Sequence, residues 1–190
     1  MTHKFFPDYF AQYQALAFNE DVYPTLEKFA ALACSVRDNG KKMMFGGNGA
    51  SASLSEHGAV DFTKQGRVRA VTFHDPNLMT CFANDFGYDN WLAKAVEHYA
   101  DDGDAVVLIS VSGTSPSVVN AAKYARERGL SVVSFTGRNR DNPLAKLSDI
   151  GFWVDSNAYN VVENIHGIWV TATIDFVIGK SVYETRMVDV

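Results

Sequence analysis

Cysteine is scarce in this sequence, since its 190 residues contain only Cys34 and Cys81. Neither has a C-x-x-C partner, which argues against a disulfide scaffold and fits a reducing compartment. The N-terminus lacks a long apolar segment, and no apolar run approaches the length of a membrane span. These absences together predict a cytoplasmic protein.

A surplus of positive charge is also missing. Lys and Arg number 17 against 22 Asp and Glu, which gives a formal net charge of −5. Long-range attraction to DNA, RNA or an anionic membrane is therefore not expected. A small phosphorylated ligand is compatible with this charge, because backbone amides bind phosphate without net positive charge.

Internal repeats, low-complexity tracts and Pro/Ser-rich linkers are absent, so the sequence predicts a single domain over residues 1–190. Apolar spacing of three and four residues predicts N-terminal helices over about 8–38, ahead of a core over about 42–180. In that core, predicted strands alternate with predicted helices. The strands are at 42–45, 69–73, 105–109, 130–135 and 150–154, and the helices are at 52–62, 92–99, 117–128 and 159–178. Buried strands that alternate with helices predict an α/β fold, a three-layer α/β/α sandwich around a parallel sheet.

A serine-rich loop follows the apolar strand at 105–109. It contains Ser110, Ser112, Gly113, Thr114 and Ser115 and leads into a helix. The unpaired N–H groups and positive dipole end of that helix attract an anion, and the hydroxyls can bind the oxygens of a phosphate. Helix capping is the alternative, because Ser and Thr are preferred N-caps. Four hydroxyls in six positions exceed what a cap needs, so the loop favours phosphate binding.

A glycine loop, residues 46–51, follows the first strand in the same way. It matches neither G-x-x-x-x-G-K-[ST] nor G-x-G-x-x-G, so a nucleoside triphosphate or dinucleotide site is not indicated. Ligands of such sheets bind outside the carboxyl ends of the strands. The two loops together therefore predict a ligand held between neighbouring strand ends.

The order and spacing of four segments resemble one protein family. The segments are 47–51 (GNGAS), 83–89 (ANDFGYD), 103–115 (GDAVVLISVSGTS) and 136–137 (TG). They are similar to those of the sugar isomerase (SIS) domain proteins, and within these of the phosphoheptose isomerase group, over roughly residues 10–180. The resemblance implies a five-stranded parallel sheet, a homotetramer and active sites built where subunits meet.

The resemblance also assigns substrate-binding roles. The phosphate positions fall on Ser51, Ser110, Ser112 and Ser115, with Thr114 where the family usually has Asn. Asn48 and Asp85 fall on positions that contact the sugar, and Asn160 on that of an Asp near the substrate. Gly49 and Gly113 complete the predicted substrate-binding set.

Interconverting an aldose and a ketose moves a proton between adjacent carbons through an enediol, which needs a base and an acid. The family Glu falls on Asp61, which is predicted to be the base, and the family His falls on Thr171. A threonine is no acid near neutral pH. The nearest imidazole, His166, lies about 140° round the helix from that position and does not simply replace it.

His57 and Asp61 lie four residues apart on one predicted helix and so share a face. Glu163 falls on a family Gln that, with the counterparts of these two, holds zinc in some members. The resemblance therefore implies a zinc site at His57, Asp61 and Glu163, in which His57 and Glu163 would also polarise the substrate. The alternative is that the three side chains simply hydrogen-bond in a polar cleft.

Two functions follow. The first is an isomerase for a phosphorylated heptose of the sedoheptulose 7-phosphate type. The second is a non-catalytic SIS module that senses a sugar phosphate or binds a protein partner such as the bacterial replication initiator. The change to Thr171 favours the second, and the carboxylates at Asp61 and Glu163 favour the first.

Overall fold

Five segments form the strands of one parallel sheet. Their bounds are β1 Lys42–Gly47, β2 Arg69–Thr72, β3 Ala105–Ser110, β4 Ser131–Gly137 and β5 Ile150–Val154. The order across the sheet is β2-β1-β3-β4-β5. The structure, a computed structural model, describes residues 4–182, so the domain ends predicted at residues 1 and 190 lie outside the described residues.

Helices cover both faces of this sheet. Within residues 4–182 they are α1 Phe5–Leu16, α2 Tyr23–Asp38, α3 Ala50–Lys64, α4 Pro76–Phe86, α5 Trp91–Tyr99, α6 Pro116–Glu127, α7 Pro143–Leu147 and α8 Tyr159–Ile178. The predicted three-layer α/β/α sandwich with a five-stranded parallel sheet is confirmed.

The strands place alternate side chains on opposite faces, as the period of two in a strand requires. Met43 and Phe45 of β1 join the apolar core that includes residues of α2, α3 and α8. Met44 points the other way, into the core formed with α5 and α6. All six residues of β1 and all six of β3 are buried, as expected for central strands of a parallel sheet.

Helices α4 and α7 were not predicted. Asp75 caps α4, because its carboxylate accepts the N–H groups of Asn77 and Leu78, and Pro76 occupies the first turn. This Asp-Pro pair is an ordinary signal for the start of a helix. Helix α7 has five residues, too few to show a helical period. The predicted helical stretch 8–38 is divided into α1, a short 3₁₀ turn and α2.

The expectation about apolar runs was wrong for α8. Among the described residues it is the one helix long and apolar enough to cross a membrane, with a mean hydropathy of 1.3. A core helix passes the same test, and α8 buries eight of its residues, including Ile165, Trp169 and Val170. These side chains belong to the core shared with α2 and α3. The hydropathy of α8 is therefore explained by packing inside the protein.

Candidate functional site

A cavity of about 320 Å³ opens at the carboxyl ends of β1 and β3. It lies where the strand order changes direction, since β2 is on one side of β1 while β3, β4 and β5 follow on the other. Open parallel sheets bind ligands at such a switch point. Seven predicted site residues line it, namely Asn48, Gly49, Ser51, Ser110, Ser112, Ser115 and Glu163.

Three helices direct their N-terminal ends at this cavity. Ala50 and Ser51 of α3, Ser115 at the N-cap of α6, and Tyr159 at the start of α8 all line it. Each helix N-terminus carries about half a positive charge on its unpaired N–H groups. The cavity is therefore suited to an anion, in agreement with the prediction from the two loops.

The hydroxyls of the serine loop are not used up by capping. Ser115 occupies the N-cap of α6, but its side chain accepts no capping hydrogen bond and instead lies 3.4 Å from the hydroxyl of Ser110. The Ser112 hydroxyl oxygen accepts the N–H and O–H groups of Thr114 at 3.2 and 3.0 Å. Because both are acceptor contacts, the proton of Ser112 is left to donate to a ligand. The side-chain capping alternative is therefore wrong for Ser115.

Gly113 fixes the turn of the serine loop. Its φ of +63° is left-handed, and a Cβ there would lie 2.0 Å from the side-chain oxygen of Asn142. Asn142 is buried, and that oxygen accepts the N–H of Ala145. Gly113 and Thr114 therefore shape the loop and support Ser112, while neither lines the cavity itself.

The glycine loop is held from outside by His74. A Cβ on Gly47 would lie 2.8 Å from the backbone of Ser51, so only glycine allows this close approach. His74 Nε2 lies 3.1 Å from the carbonyl oxygen of Gly47, which it can meet only as a donor. The side chain is 5% exposed, and its burial lowers the pKa of His74. Nothing in the sequence distinguished this histidine from an ordinary loop residue.

Asn48 is oriented by two further side chains. The Tyr88 hydroxyl donates to its amide oxygen at 3.0 Å, and its amide nitrogen donates to Ser117 at 3.1 Å. One N–H of Asn48 is left for a ligand. Sequence reasoning missed Tyr88, although it lies inside the quoted segment 83–89.

Two predicted sugar contacts lie outside the cavity. Asp85 is exposed in the last turn of α4, where its carboxylate accepts a hydrogen bond from Asn84 at 2.9 Å. Asn160 is exposed in the first turn of α8, and its neighbour Tyr159 lines the cavity instead. Within one protomer the structure therefore does not bring Asp85 or Asn160 to the predicted phosphate site.

Glu163 is the one carboxylate among the residues that line the cavity. It lies in the second turn of α8, and burial raises its pKa above the ordinary value. A carboxyl group with a raised pKa exchanges protons more readily near neutral pH. Glu163 can thus act as an acid or a base beside the hydroxyls of Ser51 and Ser112.

His57 and Asp61 lie together but away from this cavity. His57 Nε2 is 3.4 Å from a carboxylate oxygen of Asp61, with the side chains 63% and 20% exposed. Ten residues of helix separate Asp61 from Ser51, which is about 15 Å along the axis. The structure therefore keeps Asp61 and Glu163 apart within one chain, although they were predicted to lie in one site.

This separation decides how a metal would fit. Among residues 4–182, no group of three His, Cys, Asp or Glu side chains is placed to hold a metal ion. His57 and Asp61 supply two neighbouring donors, and Glu163 belongs to the cavity instead. The predicted trio does not form a metal site within one protomer.

The C-terminal helix provides no acid at the position of the missing histidine. The Thr171 hydroxyl donates to the carbonyl oxygens of Gly167 and Ile168 at 2.9 and 3.2 Å, within its own helix. His166 is fully buried, and its Nε2 lies 3.0 Å from the carbonyl oxygen of Thr136. Burial lowers the pKa of His166 to about 4. His166 is therefore a neutral core residue and does not replace the family histidine.

Comparison with known proteins agrees with this fold. The SIS domain matches residues 8–137. The chain is 33% identical over 153 residues to a phosphoheptose isomerase of Aliarcobacter butzleri, covering 77% of this chain and 80% of that one. It is 34% identical over 147 residues to the enzyme of that name from Fusobacterium nucleatum, covering 74% of each. The chain therefore belongs to the SIS domain family.

Its relatives within that family include phosphoheptose isomerases. The structure of phosphoheptose isomerase GmhA from Neisseria gonorrhoeae superposes with a TM-score of 0.84 at 27% identity. The superposition covers 92% of this chain and 95% of that one. The predicted resemblance is confirmed over nearly the whole chain.

Proposed function

We propose that this protein is an aldose–ketose isomerase that acts on a phosphorylated heptose of the sedoheptulose 7-phosphate type. One observation carries the proposal: a single cavity joins serine hydroxyls and three helix N-termini to Glu163, a carboxylate of raised pKa. The hydroxyls and the helix N-termini bind a phosphate, and Glu163 moves a proton. The relatives that are named phosphoheptose isomerase support the isomerase activity.

Binding of the phosphate uses the two loops. The hydroxyls of Ser51, Ser112 and Ser115 donate to phosphate oxygens, and the N-termini of α3 and α6 supply backbone N–H groups. Asn48, with its amide oxygen already engaged by Tyr88, offers an N–H to a sugar oxygen. Binding of the phosphate thereby fixes the position of the reacting carbons of the sugar.

Glu163 is proposed to move the proton. In a ketose phosphate, a base removes a proton from C1 while O2 takes up a proton, which gives the enediol. A proton then returns at C2 while O1 loses its proton, which gives the aldose. Partial burial beside the phosphate site keeps the pKa of Glu163 closer to neutral than that of an exposed carboxylate. Asp61, the base predicted from the resemblance, and His57 would join this step only from a neighbouring protomer.

A homotetramer is part of the proposal. Helix α1 has no buried residue, and Phe5, Phe6 and Phe10 are 57%, 67% and 62% exposed. Phe176 of α8 is similarly open to solvent. Aromatic side chains exposed in such a group are typical of a surface that another subunit covers. Light scattering tests this: four copies of the 20.9-kDa chain are expected, and a monomer would contradict it.

A cytoplasmic location and a zinc ion stay predictions. Both described cysteines, Cys34 and Cys81, are free thiols, which supports a reducing compartment. No step of the proposed reaction uses zinc, because one protomer does not gather His57, Asp61 and Glu163. Elemental analysis of the purified protein tests for the ion, with one zinc per chain as the supporting result.

A non-catalytic SIS module is the second candidate. Thr171 favours it, because the threonine hydroxyl is bonded within its own helix and no acid replaces the family histidine there. Such a protein would bind the sugar phosphate in the same cavity without converting it. A protein partner such as the replication initiator would then respond to the bound ligand.

Turnover of sedoheptulose 7-phosphate separates the two candidates. For the isomerase we expect conversion by the wild-type protein and a loss of about a hundredfold or more in kcat for Glu163→Gln. Ser112→Ala should raise KM about tenfold, because it removes a hydrogen bond to a charged group. Ser53→Ala, in an exposed position of α3 outside the cavity, is the matched control and should leave both constants unchanged.

Two results would contradict the proposal. Full activity of Glu163→Gln would exclude that carboxylate as the proton-transfer group. Tight binding of the sugar phosphate without any conversion by the wild-type protein would favour the non-catalytic module.

A further inference from the structure

The cavity lacks a cation. Its described lining contains hydroxyls, an amide and Glu163, but neither Lys nor Arg. A phosphate monoester carries between one and two negative charges at neutral pH. The helix N-termini offset part of that charge, while an ionised Glu163 would add to it. A positively charged side chain near the phosphate would complete the site.

Arg138 lies beside the phosphate loops. It follows directly on β4, whose last residue, Gly137, donates its N–H to the carbonyl oxygen of Val111 at 2.9 Å. Val111 lines the cavity between Ser110 and Ser112. The backbone N–H of Arg138 donates to the carbonyl oxygen of Ser156 at 3.0 Å. This hydrogen bond connects the end of β4 to the segment that leads into α8.

The side chain of Arg138 packs on an aromatic ring that lines the cavity. Its guanidinium carbon lies 5.9 Å from the ring centroid of Tyr159, and Tyr159 lines the cavity. No carboxylate within residues 4–182 forms an ion pair with Arg138. The guanidinium is thus near the site and free to bind an anion.

The backbone of Arg138 is unfavourable for an arginine. Its φ is +56°, in the left-handed region, which non-glycine residues seldom adopt. Among the described residues, positive φ is otherwise found at seven glycines and at Arg67. Glycine would be the less strained residue at position 138. Stability therefore does not explain an arginine there, whereas a role for its side chain does.

We propose that Arg138 is a phosphate-binding residue of this site. Its guanidinium moves from the face of Tyr159 to donate two N–H groups to oxygens of the phosphate held by the serine loop. The proposal rests on the proposed function, because it assumes a phosphorylated sugar in the cavity. It adds a residue from the end of β4 to the loops that follow β1 and β3.

Three variants of the full-length protein test this, with sedoheptulose 7-phosphate and inorganic phosphate as ligands. Arg138→Gly should weaken binding of both about tenfold or more, while its Tm stays equal to the wild-type value or rises. The Arg138→Lys variant should lose less affinity for both ligands, because lysine keeps a positive charge at this position. Arg140→Gln is the matched control, since Arg140 is on the same loop but its guanidinium carbon is 5.2 Å from the ring centroid of Trp153. Its affinities should stay within about twofold of wild type.

The outcomes separate this proposal from the function on which it rests. If the wild-type protein binds and Arg138→Gly binds equally well, Arg138 has no such role and the proposed function stands. A fall in the Tm of Arg138→Gly would contradict the argument from strain. If the wild-type protein binds neither ligand, the proposed function itself fails.

Discussion

His166 predicts a specific sensitivity of the fold to acid. The imidazole is completely buried on α8, and burial lowers its pKa from 6.5 to about 4. Its Nε2 donates to the carbonyl oxygen of Thr136, while its Nδ1 has no hydrogen-bond partner. Protonation of the folded state would therefore place an unpaired charge in the core between Phe135 and Trp169.

The sign of the effect follows from the two pKa values. Above pH 6.5 the histidine is neutral in both the folded and the unfolded chain, so it adds no pH dependence. Between pH 6.5 and about 4, the unfolded chain binds a proton that the folded chain does not, so the free energy of unfolding falls as the pH falls. At about 1.4 kcal/mol per pKa unit, the full loss is roughly 3 to 4 kcal/mol, and most of it is reached by pH 4.5.

Urea unfolding at pH 7.5 and 4.5 measures this loss, with the protein concentration held constant. His166→Gln keeps an N–H that can donate to Thr136 and removes the titration. Its free energy of unfolding should therefore fall by roughly 2 to 3 kcal/mol less than that of the wild-type protein over this range. His98→Gln, on the exposed side of α5, is the control and should follow the wild-type protein. Equal losses in wild type and His166→Gln would refute the reasoning.

Two further variants test the loops of the site. Gly113→Ala should lower the free energy of unfolding by more than about 2 kcal/mol in urea unfolding, because it combines a left-handed backbone with a clash against buried Asn142. A stability equal to wild type would contradict the assigned turn. Tyr88→Phe should raise KM for the sugar phosphate several-fold with little change in Tm, because it removes the hydrogen bond that orients Asn48. An unchanged KM would show that Asn48 needs no such support.

The sheet and the phosphate loops were predictable from sequence because their signals are local. Apolar runs such as 105–109 mark central strands, and the hydroxyl-rich segment after that run marks a strand-to-helix turn. Parallel strands place such turns at one edge of the sheet, so Ser51 and Ser112 meet in one cavity.

The supporting residues depend on contacts that sequence spacing does not encode. His74 reaches Gly47 across 27 positions, and Tyr88 reaches Asn48 across 40. The grouping of Asp61 with Glu163 failed within one protomer for the same reason. Leu54 approaches Gly167, and the next turn of α3 approaches Val170, so the two helices run side by side with Glu163 at the cavity end and Asp61 beyond it.

The central claim is that the cavity at the ends of β1 and β3 binds the phosphate of the sugar. A crystal structure of the protein with sedoheptulose 7-phosphate tests it most directly. We predict the phosphate among Ser51, Ser112 and Ser115, with the C1–C2 end of the sugar facing Glu163. A second cavity of about 310 Å³ lies beside Trp153 and Arg140, and a sugar phosphate bound there with the serine loop empty would contradict the claim.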